Sequence, residues 1–175
     1  MFANLSCADD MDNSKFDNMI PYGKQEVSYT YPKGEDNLRV LTFNIRHCAG
    51  SDDVINYDRT AAIINGMEPD IVCLQEVDYM TTRSNKVDQL KTLADKTGMN
   101  HYFSKSITYQ GGEYGNGLLF KGTTVSTRTY PLPGAELRSA AIVEFENYVV
   151  ISTHLALEEN NRVESAKLLT QLAKE

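Results

Sequence analysis

Residues 69–76 read Pro-Asp-Ile-Val-Cys-Leu-Gln-Glu, an apolar run that a turn opens and a carboxylate, Glu76, closes. A short apolar run of this kind, bounded by turn residues, predicts a buried strand. Two other segments share its form: Leu38 to Phe43 stops on Asn44, and Tyr148 to Thr153 stops on His154. In an open α/β sheet the ligand sits beyond the carboxyl ends of the strands, so the three endings predict one site. An amide, a carboxylate and an imidazole there supply a phosphate donor, a ligand for a hard metal ion and a proton-handling group. Those are the parts of metal-assisted phosphoester hydrolysis.

Outward from these strands, apolar periodicity predicts helices over 57–67, 86–96 and 158–174. The second places Val87, Leu90, Leu93 and Ala94 on one face and stops at Gly98; the third uses Val163, Ala166, Leu169 and Leu172. Further strands are predicted over 101–107, 115–121, 123–130 and 138–146, with hairpin turns at Gly122 and at Glu146 with Asn147. The mixed order predicts an α/β fold, α+β under some schemes: a mixed sheet with helices on one face. Residues 1–37 carry Asp9, Asp10, Asp12, Asp17, Pro21, Pro32 and Gly34 without sustained periodicity. They read as a polar arm that packs in part through Phe16, Met19, Ile20 and Tyr22, and the domain proper runs over 38–175.

With 175 residues, 41% of them hydrophobic and 23% charged, the chain has the composition of one globular domain. A net charge of -7 and no Lys/Arg stripe disfavour duplex DNA as a partner. A small phosphoester or a lipid headgroup fits better, because a local positive site does not need a positive molecule. Three cysteines at no ligand-like spacing argue against a disulfide framework and against a zinc site. Cys73 reads as a core residue, and Cys48 lies near the predicted site with no base placed for it. Cys7, in the stretch FANLSCADD at 2–10, is the residue that could carry a lipid, which predicts an exported or lipid-anchored protein with a cytoplasmic one as the alternative. No charged n-region or apolar h-region is visible around it.

Five segments resemble the endonuclease/exonuclease/phosphatase superfamily of metal-dependent phosphoesterases: LRVLTFNIRHC at 38–48, PDIVCLQEVDYMTTRS at 69–84, YQGGEYGNGLLF at 109–120, YPLPGAELRSAAIVEF at 130–145 and VVISTHLAL at 149–157. They follow the superfamily's order and spacing and are most similar to its small bacterial branch. The resemblance implies a DNase I-like four-layer sandwich, of which this chain is the amino-terminal half.

The resemblance also implies roles. Glu76 is similar to the magnesium-binding glutamate, with manganese as an alternative ion, and Asn44 to the asparagine that orients the phosphate and the metal shell. A solvated strand-end carboxylate and an Asx-turn are the plainer readings of the two. His154 resembles the histidine that stabilises charge on the scissile phosphate. Arg138 is similar to the arginine that the branch directs at the site, where a planar fork suits phosphate oxygens; a surface ion pair is its plainer reading. Asn116, flanked by glycines, resembles an amide near the phosphate, and Arg83 and Arg46 are further candidates for phosphate contact. Arg46 stands where the apurinic endonucleases place an acidic residue, which weakens transfer from the DNA-repair branch.

The superfamily's later Gly-Asp-x-Asn and Ser-Asp-His blocks, which furnish the water-activating Asp and the second catalytic His, have no counterpart downstream of His154. Two further expectations follow. The function is that of a phosphodiesterase or phosphatase lacking part of its machinery, with a non-catalytic phosphate-binding module and a DNA endonuclease as alternatives. The inner sheet face, left bare, would self-associate or take up a complementing carboxyl-terminal half.

Overall fold

In the computed structural model, which describes Gly34 and residues 37–174, the first two helices begin where a short polar side chain caps them. Asn56 accepts a hydrogen bond from the Arg59 amide at 2.9 Å and starts α1 (Tyr57–Met67), which ends on Glu68 in the left-handed conformation just before Pro69. Asp88 accepts from the Lys91 amide at 3.0 Å and starts α2 (Gln89–Thr97), three residues later than periodicity alone predicts. Gly98, at φ +67°, ends it. The expected arm, including Cys7 and the packing of Phe16, Met19, Ile20 and Tyr22, lies outside the described residues.

The strands form two sheets. The first holds β1 (Val40–Asn44), β2 (Ile71–Tyr79), β3 (Asn100–Tyr109) and β4 (Gly112–Phe120) in the order β1-β2-β4-β3. Its β1 and β2 are parallel and the other pairs antiparallel. The second holds β5 (Ser126–Leu132), β6 (Arg138–Glu144) and β7 (Val149–Thr153), all antiparallel, and α3 (Glu159–Leu172) closes the chain.

Side-chain alternation stacks these elements in four layers. Val72, Leu74 and Leu119 of the first sheet pack with Ile64 of α1 and Leu90, Leu93 and Ala94 of α2. The opposite face carries Ile71, Cys73, Leu118 and Phe120, which meet Ala141 and Val143 of β6 and Phe145. The outer face of the second sheet, through Ala140, Ile142 and Leu132, packs with Leu172, Leu168 and Leu169 of α3. Each sheet therefore has helices on one face and the other sheet on its inner face. Removing each fully buried Leu or Ile from water contributes about 1.5–3 kcal/mol.

Three expectations change. The inner face of the first sheet is not bare, because β5–β7 form a second sheet against it rather than extending the first. No hairpin forms at Gly122: β4 and β5 belong to different sheets. The tight hairpin lies instead between β3 and β4, where Gln110 and Gly111 have φ +45° and +71° and Tyr109 pairs with Gly112. Two positive φ angles in a two-residue loop match the twist of the strands they join. In α3 the buried face is Ser165, Leu168, Leu169 and Leu172, while Val163 is 49% exposed.

Candidate active site

Parallel pairing of β1 with β2 sets Asn44, the last residue of β1, opposite Gln75, while β2 runs on to Tyr79 along β4 rather than stopping at Glu76 as its apolar run predicts. The β2–β4 ladder is interrupted there: Leu74 pairs with Gly117 and Val77 with Gly115, leaving Gln75 and Glu76 against Asn116 alone. This is a β-bulge, and Glu76 within it has φ +61°. The extra residue resets the alternation, so Val72, Leu74 and Val77 all face the helices. On its other side β4 runs close to β3 at Gly115, where a Cβ would lie 2.0 Å from the Ser104 carbonyl oxygen.

Asn44 donates its Nδ2 hydrogen to Glu76 Oε1 at 2.9 Å and accepts from the Arg46 amide at 3.0 Å. The amide thus closes a turn and orients the carboxylate at once. Beyond it Arg46, His47 and Cys48 all have positive φ. That turn sends the Arg46 guanidinium into its own loop, where it bonds the Gly50 carbonyl at 2.8 Å and Asp53 at 2.5 Å. Cys48 is buried, and burial pushes its thiol up to about 11, so it is not a thiolate nucleophile.

The second sheet contributes from the same side. Arg138 opens β6 and His154 follows β7, and because these strands are antiparallel, with Ala140 opposite Thr153, the two residues lie at one end. Arg138 is 8% exposed; its Nη2 lies 3.4 Å from the Glu136 carboxylate, and its buried Nε has no hydrogen-bond partner among the described residues. Burial holds the half-buried His154 below its ordinary value, and the Arg138 charge adds to this against the opposing carboxylates of Glu76 and Glu136. Its imidazole is neutral near pH 7.

Asn116 is 2% exposed and donates Nδ2 to the Ser139 carbonyl at 2.8 Å, next to Arg138. The Ser139 hydroxyl is bonded in turn to those of Ser104 and Ser106, at 3.0 and 2.9 Å. Asn116 therefore sits behind the site and ties the two sheets together there. Arg83 is also engaged: its Nε and Nη2 each donate to Asp78 at 2.8 Å, and Thr81 donates to the same carboxylate at 2.7 Å. The Asp78 side chain has no solvent exposure. Burial, then the charge of Arg83, lowers His47, whose buried Nδ1 has no partner among the described residues and whose carbonyl accepts from the buried Gln89 at 2.8 Å. Sequence reasoning missed Gln89 and Glu136, since each is an ordinary polar residue until the fold places it.

Two cavities flank this arrangement differently. One of about 420 Å³, lined by Arg39, Glu68, Pro69 and Lys121, lies at the opposite ends of the strands, away from Glu76. The other, of about 330 Å³, is lined by Arg83, Ile107, Tyr109, Tyr114 and Glu136 and adjoins the site. Among the described residues no three His, Cys, Asp or Glu side chains cluster around a common point. Glu76 offers one carboxylate, and the oxygen of Asn44 is already accepting a backbone hydrogen. That donor set fits an ion that takes one or two carboxylates and keeps its waters, as magnesium does, rather than one that needs an all-protein cage.

A carboxylate, an amide, an arginine and an imidazole at one end of two packed sheets, one mixed and one antiparallel, define a DNase I-like α/β protein. The chain belongs to the endonuclease/exonuclease/phosphatase family, whose sequence profile matches residues 41–174. Among solved structures it is similar to an endonuclease/exonuclease/phosphatase from Beutenbergia cavernae DSM 12333, with a TM-score of 0.64 and 23% identity over 77% of this chain and 43% of that one. It is also similar to a family protein from Leptotrichia buccalis C-1013-b, with a TM-score of 0.58 and 14% identity over 77% of this chain and 61% of that one. TDP2 from Caenorhabditis elegans gives a TM-score of 0.56 and 18% identity over 77% of this chain and 40% of that one. At these identities the likeness is one of fold, and the chain spans less than two thirds of each relative's length. No match to a curated protein is found.

Proposed function

We propose that the chain carries the phosphate- and metal-binding part of a magnesium-dependent phosphoester hydrolase acting on small or lipid-headgroup phosphoesters, with manganese as an alternative ion. The observation that carries this reading is Glu76: a bulge holds it at φ +61° and the Asn44 amide orients its carboxylate at 2.9 Å. Left-handed backbone at a non-glycine residue is costly and clusters at functional sites. Glu76 would hold the ion, which when bound supplies positive charge to the phosphoryl oxygens. The remaining work falls to this chain's own groups. Arg138, whose buried Nε has no hydrogen-bond partner among the described residues, would offer the planar fork of its guanidinium to the phosphate. His154, neutral, donates a hydrogen bond to a phosphoryl oxygen and stabilises the charge that develops there. Asn116 keeps Arg138 in register through the Ser139 carbonyl.

The water-activating Asp and the second His of the family's later blocks are not among these 175 residues. Turnover is therefore proposed to need a complementing segment, with trace activity at most without it. A titration of methyl phosphate into the protein with magnesium present tests the phosphate site. Arg138→Gln weakens binding about tenfold, the loss of one charge-assisted bond; unchanged affinity removes Arg138 from the site. The acidic balance further supports small substrates, and sub-micromolar affinity for duplex DNA near physiological salt would reverse that preference.

A further inference from the structure

The 330 Å³ cavity beside the site has an unusual charge balance. Arg83 lines it, yet its Nε and Nη2 are committed to the unexposed Asp78, which neutralises its charge from behind. Its guanidinium lies 4.7 Å from the centre of the Tyr109 ring and 5.5 Å from that of Tyr114, so this cation already occupies the ring faces turned towards it. Glu136, also in the lining, is paired with Arg138 at 3.4 Å. What remains for a ligand is a set of hydrogen-bonding groups of balanced charge: Arg83 Nη1, the Tyr114 hydroxyl, a Glu136 oxygen and the Tyr109 hydroxyl, which already accepts from Gln110 Nε2 at 3.3 Å and keeps its own hydrogen to donate. Burial raises the Tyr114 phenol, so it stays a donor. Donors and an acceptor together, with no surplus charge of either sign, suit a hydroxyl-rich ring. A second phosphate would find no uncompensated cation, and a quaternary ammonium would meet an arginine where it needs open aromatic faces.

We propose that the cavity lined by Arg83, Ile107, Tyr109, Tyr114 and Glu136 is a specificity subsite that takes a neutral polyhydroxylated group, a sugar or polyol ring esterified to the phosphate held at Glu76 and Arg138. The subsite rests on the phosphoester reading above and gives it a substrate class. Ile107 at its wall sets how far a ring can enter.

Calorimetric titrations of methyl phosphate, glucose 6-phosphate, glucose 1,6-bisphosphate and phosphocholine, with magnesium present, test it. Glucose 6-phosphate binds about tenfold more tightly than methyl phosphate, the ratio that one or two neutral hydrogen bonds supply. The bisphosphate gains nothing beyond glucose 6-phosphate, and phosphocholine binds like methyl phosphate. Tyr109→Phe removes one hydroxyl and reduces the gain, and Ile107→Trp fills the cavity and abolishes it. Both variants keep wild-type affinity for methyl phosphate, which also shows that they are folded. Equal affinity for glucose 6-phosphate and methyl phosphate, a gain that survives Ile107→Trp, or preferential binding of the bisphosphate or phosphocholine overturns the subsite while leaving the phosphoester reading intact. Failure of every phosphoester to bind overturns both.

Discussion

Glu76 adopts φ +61°, a backbone conformation that costs an ordinary L-residue about 1–2 kcal/mol. The ladder would close without it if Gln75 or Glu76 were absent, so the cost goes into aiming a carboxylate. Glycine adopts this conformation freely. Glu76→Gly is therefore expected to be about 1 kcal/mol more stable than Glu76→Ala in urea titrations, both variants having lost the Asn44 bond and the carboxylate proposed to hold the ion; a glycine variant no more stable than the alanine one would mean that the bulge is unstrained. The two histidines give a second prediction at this scale. Burial lowers both His47 and His154 from 6.5. The unfolded chain takes up their protons first, so the stability they contribute is present above that value and lost as pH falls from it through the folded values. Urea midpoints at about pH 7 and about pH 5.5 should show the decline, and His154→Gln should make it shallower. An equal decline in the variant would place its source elsewhere. Both histidines and Glu76 are plain in the sequence, but a positive φ at a Glu leaves no mark in composition or periodicity.

At the scale of elements, the apolar runs that predict β1, β2 and β7 are legible because each strand buries at least one face. Helix ends are legible where Gly98 stops α2, and less so where Asp88, rather than the apolar pattern, decides its start. The bulge is not legible, since a two-against-one register, Gln75 and Glu76 against Asn116, is a property of how β2 meets β4 and leaves no mark in either strand alone. Nor is the partner of Arg83, which reads as a free cation until the turn after β2 folds it back on Asp78. That pair gives a stability test. Arg83→Met leaves an unexposed carboxylate uncompensated and should cost about 3 kcal/mol or more, most of it recovered in Arg83→Met with Asp78→Leu. A double variant no more stable than the single one would show that Thr81, rather than the arginine, is what Asp78 serves.

For the whole molecule, the sequence gives no sign of which strands share a sheet. The pattern in β6 is continuously buried because one of its faces meets the first sheet and the other meets α3, and a strand of that kind is compatible with either sheet. The expectation of one sheet with a bare inner face followed from that ambiguity. Convergence of the strand ends is a different matter: parallel β1 and β2 bring Asn44 and Glu76 together, and the antiparallel second sheet brings Arg138 and His154 to the same side. The edge strands β1 and β7 expose Val40 at 56% and Val149 at 52%. The central claim is that these residues form one metal-assisted phosphate site, and its most direct test is thermodynamic coupling. Methyl phosphate affinity, measured by calorimetry with and without magnesium, should tighten about tenfold or more with the ion in the wild-type chain and show no tightening in Glu76→Gln. Affinity that ignores magnesium in the wild type, or that tightens equally in Glu76→Gln, would contradict the claim.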